Sequence, residues 1–215
     1  MQYLLSPDQK ALELPVGELR FPALLTRPKK PRALILFVPG WKSSRFSTRS
    51  LFLSRELNRC HFATLLFDLL TPQENNEDLL SGKFSFDLKL TSGRLSAITS
   101  HLSACLKLKI GYFGNSTGGA AALMATLKQK LPKVTVLSSA RLDLIFSQLP
   151  EVRAKTCLIA AGAAPVHLHL NRRAYRRLKC LKKLKIIPGA TQLFEETGKL
   201  EEAAKTAREW FEKHL

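Results

Sequence analysis

The chain has 215 residues, of which 45% are hydrophobic and 24% are charged, and these proportions exclude global disorder. There are 34 Lys and Arg residues against 17 Asp and Glu residues, which gives a net charge of +17. A charge of this size bears on partners and solubility rather than on the fold. The length favours one domain spanning residues 1–215.

The amino terminus lacks a basic segment followed by an apolar run, and no apolar run is long enough to span a membrane. We therefore expect a cytoplasmic protein. The four cysteines have no CxxC spacing, which predicts reduced thiols, mostly in the core. These are Cys60, Cys105, Cys157 and Cys180.

The predicted elements alternate between short apolar strands and longer helices, after a leading antiparallel pair of strands in residues 11–26. Strands are predicted at 33–38, 62–67, 109–113, 134–137, 156–160 and 184–187. Helices are predicted at 48–58, 91–106, 117–131 and 171–181, and near the carboxyl end at 200–211. The polar stretch 71–83 is expected to form a loop. The alternation indicates an α/β fold, with a mostly parallel twisted sheet and helices on both faces.

The sharpest motif is the sequence Gly-Asn-Ser-Thr-Gly at 114–118, which matches G-x-S-x-G between an apolar strand and an Ala-rich helix. The glycines allow a turn that exposes the Ser116 hydroxyl, so Ser116 is a candidate nucleophile. The backbone N–H groups of Thr117 and Trp41 are candidate donors to an oxyanion, with Gly40 and Asn115 in the pocket. The alternatives are that Ser116 is an ordinary helix-capping residue and that Trp41 is an aromatic at the surface rim.

Longer matches accompany this motif, at residues 43–45, 63–71, 111–118, 170–172 and 188–195. With them, the chain resembles the dienelactone-hydrolase-like branch of the α/β-hydrolases, which includes small domains fused to phosphoribosyltransferases. The resemblance runs from about residue 16 to residue 215. It implies a single-domain α/β-hydrolase fold and an activity on ester or lactone substrates.

The chain departs from the family pattern at the positions that carry the other catalytic groups. Pro39 and Gly40 stand where the family has His-Gly, Ala164 stands where it has the triad aspartate, and Gln192 stands where it has the triad histidine. Residues 152–194 contain no Asp or Glu. A serine hydroxyl is a poor nucleophile without a neighbouring base, so the departures predict weak or lost esterase activity.

Two hypotheses for the function remain open from the sequence. In the first, Ser116 attacks an ester or lactone, with a replacement acid and base drawn from Asp143, His167 and His169. In the second, the chain is a non-catalytic protein that binds an acidic ligand in the hydrolase pocket. The alternative for the two histidines is an ordinary strand-to-helix segment, and Asp143 could cap the segment that follows it. No metal-binding or organic cofactor motif is visible.

A basic segment near the end of the chain is the remaining candidate site for a partner. Its helical part has one predicted apolar face, formed by Ala174, Leu178 and Leu181. The segment fits either an anionic partner, such as a nucleic acid or a membrane surface, or the solvated face of a helix behind the sheet. Its eight basic residues are Arg172, Arg173, Arg176, Arg177, Lys179, Lys182, Lys183 and Lys185.

Overall fold

Eight strands form one sheet in the computed structural model, which describes residues 8–129 and 131–215. The order across the sheet is β1-β2-β4-β3-β5-β6-β7-β8. β1 and β2 are antiparallel, β2 is antiparallel to β4, and the other neighbours are parallel. The strands are β1 Gln9–Val16, β2 Leu19–Thr26, β3 Leu34–Val38, β4 Ala63–Phe67, β5 Ile110–Asn115, β6 Val134–Ser138, β7 Lys155–Ala161 and β8 Lys182–Ile187.

Helices cover both faces of this sheet, as predicted. Residues of α3, α4 and α5 join one apolar core, and residues of α1 and α6 join the other. The central strands β3 to β6 are buried along nearly their whole length, which is why they are mainly apolar in the sequence, with buried Thr64 and Thr135 inside β4 and β6. The helices are α1 Thr48–Arg59, α2 Pro72–Ser81, α3 Leu88–Cys105, α4 Ser116–Lys128, α5 Pro165–Arg177 and α6 Lys199–His214.

The loop predicted at 71–83 is wrong, because most of this stretch is helix α2. Thr71 and Glu74 form a capping box, in which the Thr71 N–H donates to Glu74 Oε2 at 2.8 Å and the Glu74 N–H donates to Thr71 Oγ1 at 3.2 Å. Pro72 suits the first turn, and Gly82 ends the helix in the left-handed region, with φ of 68°. A bidentate ion pair from Arg94 to Glu74 then fixes α2 against α3.

The helix predicted at 171–181 has the wrong bounds. It begins at Pro165, a residue that suits the first helical position, and it ends at Arg177. The predicted apolar face is therefore incomplete. Ala174 and Leu178 are buried, whereas Leu181 is 56% exposed and lies between the helix and β8.

The remaining expectations concern the thiols and the chain ends. All four cysteines are free, but Cys60 and Cys180 are half-buried and Cys105 is exposed, so the expectation of core thiols holds for Cys157 alone. Residues 1–7, on which the expectation about the amino terminus rests, lie outside the described residues, and so does Lys130, inside the predicted helix 117–131. Among the described helices, none has the length and apolar character needed to cross a membrane.

Candidate active site at the Ser116 turn

The predicted turn around Ser116 joins the end of β5 directly to the start of α4. Ser116 has φ of 46°, a left-handed conformation that is uncommon for a residue other than glycine. The turn needs glycine on its helical side, because a Cβ on Gly118 would lie 2.4 Å from the Pro39 carbonyl oxygen. The backbone of β3 and that of α4 therefore meet at this point, and they hold Ser116 in a strained geometry.

Three backbone hydrogen bonds tie neighbouring segments to this turn. The Gly40 N–H donates to Asn115 Oδ1 at 3.1 Å, and the Trp41 N–H donates to Thr117 Oγ1 at 2.9 Å. From the loop after β6, the Arg141 N–H donates to the Ser116 carbonyl oxygen at 3.0 Å. The turn is thus fixed from both neighbouring strands.

The two predicted oxyanion donors differ in whether their backbone N–H already has an acceptor. The Trp41 N–H already has an acceptor in the Thr117 hydroxyl, so an oxyanion would have to displace that hydroxyl. Thr117 is the second residue of α4, where a backbone N–H has no acceptor within the helix. Of the pair, the Thr117 N–H is therefore the one without an acceptor in its own helix, although Thr117 is itself buried.

Ser116 opens into a cavity of about 160 Å³, which also contains Asn115, Trp41 and Gln192. Gln192 stands where the resemblance places the triad histidine, and the structure brings it to the same cavity as Ser116. Among the described residues, none forms a hydrogen bond with the Ser116 hydroxyl. The residues that line this cavity include no His, Asp or Glu: Trp41, Lys42, Ser43, Arg49, Ser50, Leu53, Phe113, Asn115, Ser116, Ser138, Ser139, Gln192, Leu193, Phe194, Leu200 and Ala203.

Two cations that were not predicted as site residues line the cavity. Arg49, near the start of α1, donates from Nη1 to the Leu193 carbonyl oxygen at 3.4 Å. Burial lowers the pKa of Arg49 from its ordinary value, and the nearby charge of Glu195 raises it. The Lys42 ammonium lies 4.3 Å from the centre of the Trp41 ring. The charge of the cavity is therefore positive.

Two consecutive serines at the end of β6 also line the cavity and were missed. Ser138 and Ser139 are both buried. Ser139 has φ of 43° and is 4% exposed, and its hydroxyl has no hydrogen-bond partner among the described residues. A buried hydroxyl without a partner is costly, so it calls for an explanation.

The candidate replacement acid and base lie outside the cavity at Ser116. Asp143 accepts hydrogen bonds from Arg141 at 2.9 and 2.8 Å, and these hold the pKa of Asp143 below its usual value. Burial, followed by the charge of Arg141, lowers the pKa of His167, while Asp143 acts in the opposite direction. His169 is exposed on α5. None of the three candidates lines the cavity at Ser116.

A second cavity, of about 270 Å³, lies on the other side of the loop that follows β3. It is lined by Thr117 and Gly118 and by an ion pair between Arg45 and Asp68, and it shares Lys42 with the first cavity. Because Asp68 is already paired, the second cavity offers no free carboxylate near Ser116.

The basic segment is divided between the end of α5 and the edge strand β8. Several of its cations have partners inside the protein. Lys182 donates to the Tyr175 carbonyl oxygen at 2.8 Å, Lys185 pairs with Glu202 at 2.7 Å, and Arg177 donates to the Phe146 carbonyl oxygen at 3.0 Å. Lysines on an edge strand also oppose pairing with another sheet. An anionic partner for this segment stays a prediction.

Comparisons with known proteins agree with the fold. No family model matches the chain. Proteins of Mycobacterium tuberculosis strains CDC 1551 and H37Rv, each named "Putative phosphoribosyl transferase", are 42% identical to it over 195 residues. That match covers 89% of this chain and 43% of each relative, so the chain spans less than half the length of these curated relatives.

Solved structures match the whole chain. The crystal structure of dienelactone hydrolase from Anabaena variabilis is 38% identical, with a TM-score of 0.92, and the match covers 96% of this chain and 98% of that one. An α/β serine hydrolase without a lid from Xanthomonas campestris has a TM-score of 0.78 at 15% identity, over 100% of this chain and 98% of that one. The second similarity concerns the fold alone, whereas the first extends to the sequence. The chain belongs to the dienelactone-hydrolase-like family of the α/β-hydrolases.

Proposed function

We propose that the chain binds an ester- or lactone-type small molecule at Ser116 and does not turn it over at the rate of a complete catalytic triad. One observation carries this proposal: among the described residues, no His, Asp or Glu lines the cavity at Ser116. Without a base to accept its proton, a serine hydroxyl attacks a carbonyl group slowly. In serine proteases, loss of the base reduces turnover by about a millionfold.

The groups that remain at the turn suit binding. The Ser116 hydroxyl can donate to a carbonyl oxygen, and Gln192 adds an amide to the same cavity. The Thr117 N–H is a further donor next to Ser116, on a residue that lines the second cavity. The turn itself is stabilised by backbone contacts that do not involve the missing catalytic groups. These contacts support a preserved pocket with altered chemistry.

The transferase name of the Mycobacterium tuberculosis relatives does not conflict with this proposal. The chain matches 43% of each relative. We infer that the transferase activity named for those proteins belongs to the part of them that this chain does not match.

The test compares wild type with Ser116→Ala in the hydrolysis of p-nitrophenyl acetate and in labelling by a fluorophosphonate. We expect near-background rates that are equal in the two proteins, and no serine-specific label. Saturation-transfer NMR with δ-valerolactone then measures binding, with Trp41→Phe as a variant of the cavity wall. Rapid hydrolysis that Ser116→Ala abolishes would refute the proposal, and so would failure of the folded wild type to bind any ester or lactone.

A second candidate function is ester hydrolysis through a rewired triad, favoured by one contact. The Arg141 N–H binds the Ser116 carbonyl oxygen, and the Arg141 side chain binds Asp143, whose charge reaches His167. If a ligand draws this loop inwards, His167 becomes the base. The matched variants are His167→Gln and His169→Gln on the same helix. This function predicts Ser116-dependent activity that falls only in His167→Gln.

A further inference from the structure

We propose that the cavity at Ser116 recognises a phosphate monoester group on its ligand, held by Arg49 and Lys42 at the amino-terminal end of α4. This inference rests on the proposed function, because it names the chemical class of the ligand that the cavity binds.

Arg49 supplies the first argument, because its charge is half-buried and lacks a bonded counter-ion. Among the described residues its guanidinium donates to the Leu193 carbonyl oxygen at 3.4 Å and forms no ion pair within 4.0 Å. The charge of Glu195 acts on it from a greater distance. Removing a guanidinium from water without a bonded anion costs free energy, and an anionic ligand in the cavity would offset that cost.

The second argument is the set of donors around the cavity. Ser116, which lines the cavity, is the first residue of α4, a helix of 13 residues, and a helix amino terminus attracts anions through its free N–H groups and its dipole. The next two residues of α4, Thr117 and Gly118, line the second cavity. Ser139 lines the same cavity with a buried hydroxyl that has no partner among the described residues. Ser43, which also lines the cavity, has a buried hydroxyl that likewise has no partner among the described residues. These hydroxyls are potential donors to an oxygen-rich group.

The third argument distinguishes a phosphate from a carboxylate. A phosphate monoester carries a charge of about −1.5 to −2 near neutral pH and has three acceptor oxygens. The cavity offers two cations, the helix terminus and several hydroxyls, and no acidic side chain lines it. A carboxylate has one charge and two oxygens and would leave part of this set unused. The volume of about 160 Å³ suits a small organic group beside the phosphate.

The experiment measures the affinity of the intact protein for three probes that share one ring: phenyl phosphate, benzoate and methyl benzoate. Isothermal titration or saturation-transfer NMR is performed at constant ionic strength, because exposed charges are screened by salt. We expect phenyl phosphate to bind at least about tenfold more tightly than benzoate, in line with the strength of hydrogen bonds to charged groups.

Matched variants on one helix locate the contact. Arg49→Gln should weaken phenyl phosphate binding by about tenfold or more and leave methyl benzoate binding unchanged. Arg55→Gln, also on α1 but exposed and outside the cavity, should change neither. Ser139→Ala should weaken phosphate binding a few-fold. If Arg49→Gln does not fold, Arg49→Lys, which keeps the charge but not the planar fork, should show an intermediate loss.

The outcomes separate this inference from the proposed function. Equal affinity for benzoate and phenyl phosphate, or equal effects of the Arg49 and Arg55 variants, would overturn the phosphate site. Binding of methyl benzoate without binding of phenyl phosphate would overturn the inference and leave the proposed function standing. Binding of phenyl phosphate alone would retain the phosphate site and refute an ester ligand, and binding of no probe would refute both.

Discussion

Replacing Gln192 by histidine should return a general base to the Ser116 cavity. Gln192 is half-buried and lines the cavity that contains the Ser116 hydroxyl, so a histidine there places an imidazole beside a serine without a partner. A positioned general base contributes about 10² to 10⁴ in rate. We expect the lower part of this range, because no carboxylate lines the cavity to orient the new imidazole.

The assay is kcat/KM for p-nitrophenyl acetate as a function of pH. The rate should rise as the imidazole loses its proton, near its ordinary pKa of about 6.5, because the neutral ring is the base. Adding Ala164→Asp should increase the rate by about a further tenfold. Ala164 is the residue that precedes the first turn of α5, and a carboxylate there would also accept bonds from the free N–H groups of the helix, which limits the gain.

Two controls isolate the mechanism. Gln192→His combined with Ser116→Ala should show no increase, and neither should Thr191→His, which places an imidazole on the same loop but outside the cavity. If Gln192→His folds and gives no Ser116-dependent rate, the reasoning that Gln192 stands in the position of the base is refuted.

Three further predictions concern stability and reactivity. Glu74→Ala should lower the free energy of unfolding by about 2–4 kcal/mol in thermal denaturation, because it removes a capping box and leaves the buried Arg94 unpaired. Arg94 lowers the pKa of Glu74, so this stabilisation is present above the unfolded pKa, near 4.5, and is lost as the pH falls through the folded pKa. The free energies of unfolding of wild type and Glu74→Ala should therefore converge in acid. A difference between them that stays constant with pH would contradict this prediction. Thr117→Val should cost about 1–3 kcal/mol in urea unfolding, since it leaves the Trp41 N–H without its acceptor, and an unchanged midpoint would contradict this assignment. Burial raises the pKa of Cys157 to about 12, so this thiol should react with Ellman's reagent at pH 8 only after unfolding, and rapid reaction of the folded protein at this position would show that the strand is accessible.

The sequence was sufficient for the sheet because the central strands are buried on both faces. Residues of β3, β4 and β6 are buried throughout, so each strand is mainly apolar: β3 is apolar along its whole length, and β4 and β6 each contain one buried threonine. The Ser116 turn could also be predicted from the sequence, because close backbone contacts require its glycines and the glycines are part of the G-x-S-x-G pattern. Local chemistry therefore determined these features.

Helix α2 was missed although its capping signal is present in the sequence. That signal consists of Thr71, Pro72 and Glu74. The helix has little apolar periodicity, however, so its hydrophobic spacing does not predict a helix. Its position depends on Arg94, 20 residues away on α3. A contact at such a distance is not visible in a local pattern.

The cations and serines of the cavity could not be predicted for a similar reason. Arg49 comes from the first turns of α1, Ser139 follows β6, and Gln192 follows β8, so only the closed sheet brings them together. Each is an ordinary polar residue in its local sequence. Their common position at the carboxyl ends of parallel strands is where α/β sheets bind ligands.

The geometry of the nucleophile turn and the chemistry of catalysis are therefore separable in this chain. The positive φ of Ser116 is maintained by Gly118 against β3 and by the N–H groups of Gly40 and Arg141, and none of these groups transfers a proton. Changes at Ala164 and Gln192 leave all of these contacts in place. On the proposed function, a bound ligand can thus preserve the turn without a base at position 192, and we propose that the charge lining the cavity, rather than the serine, determines which ligand is retained.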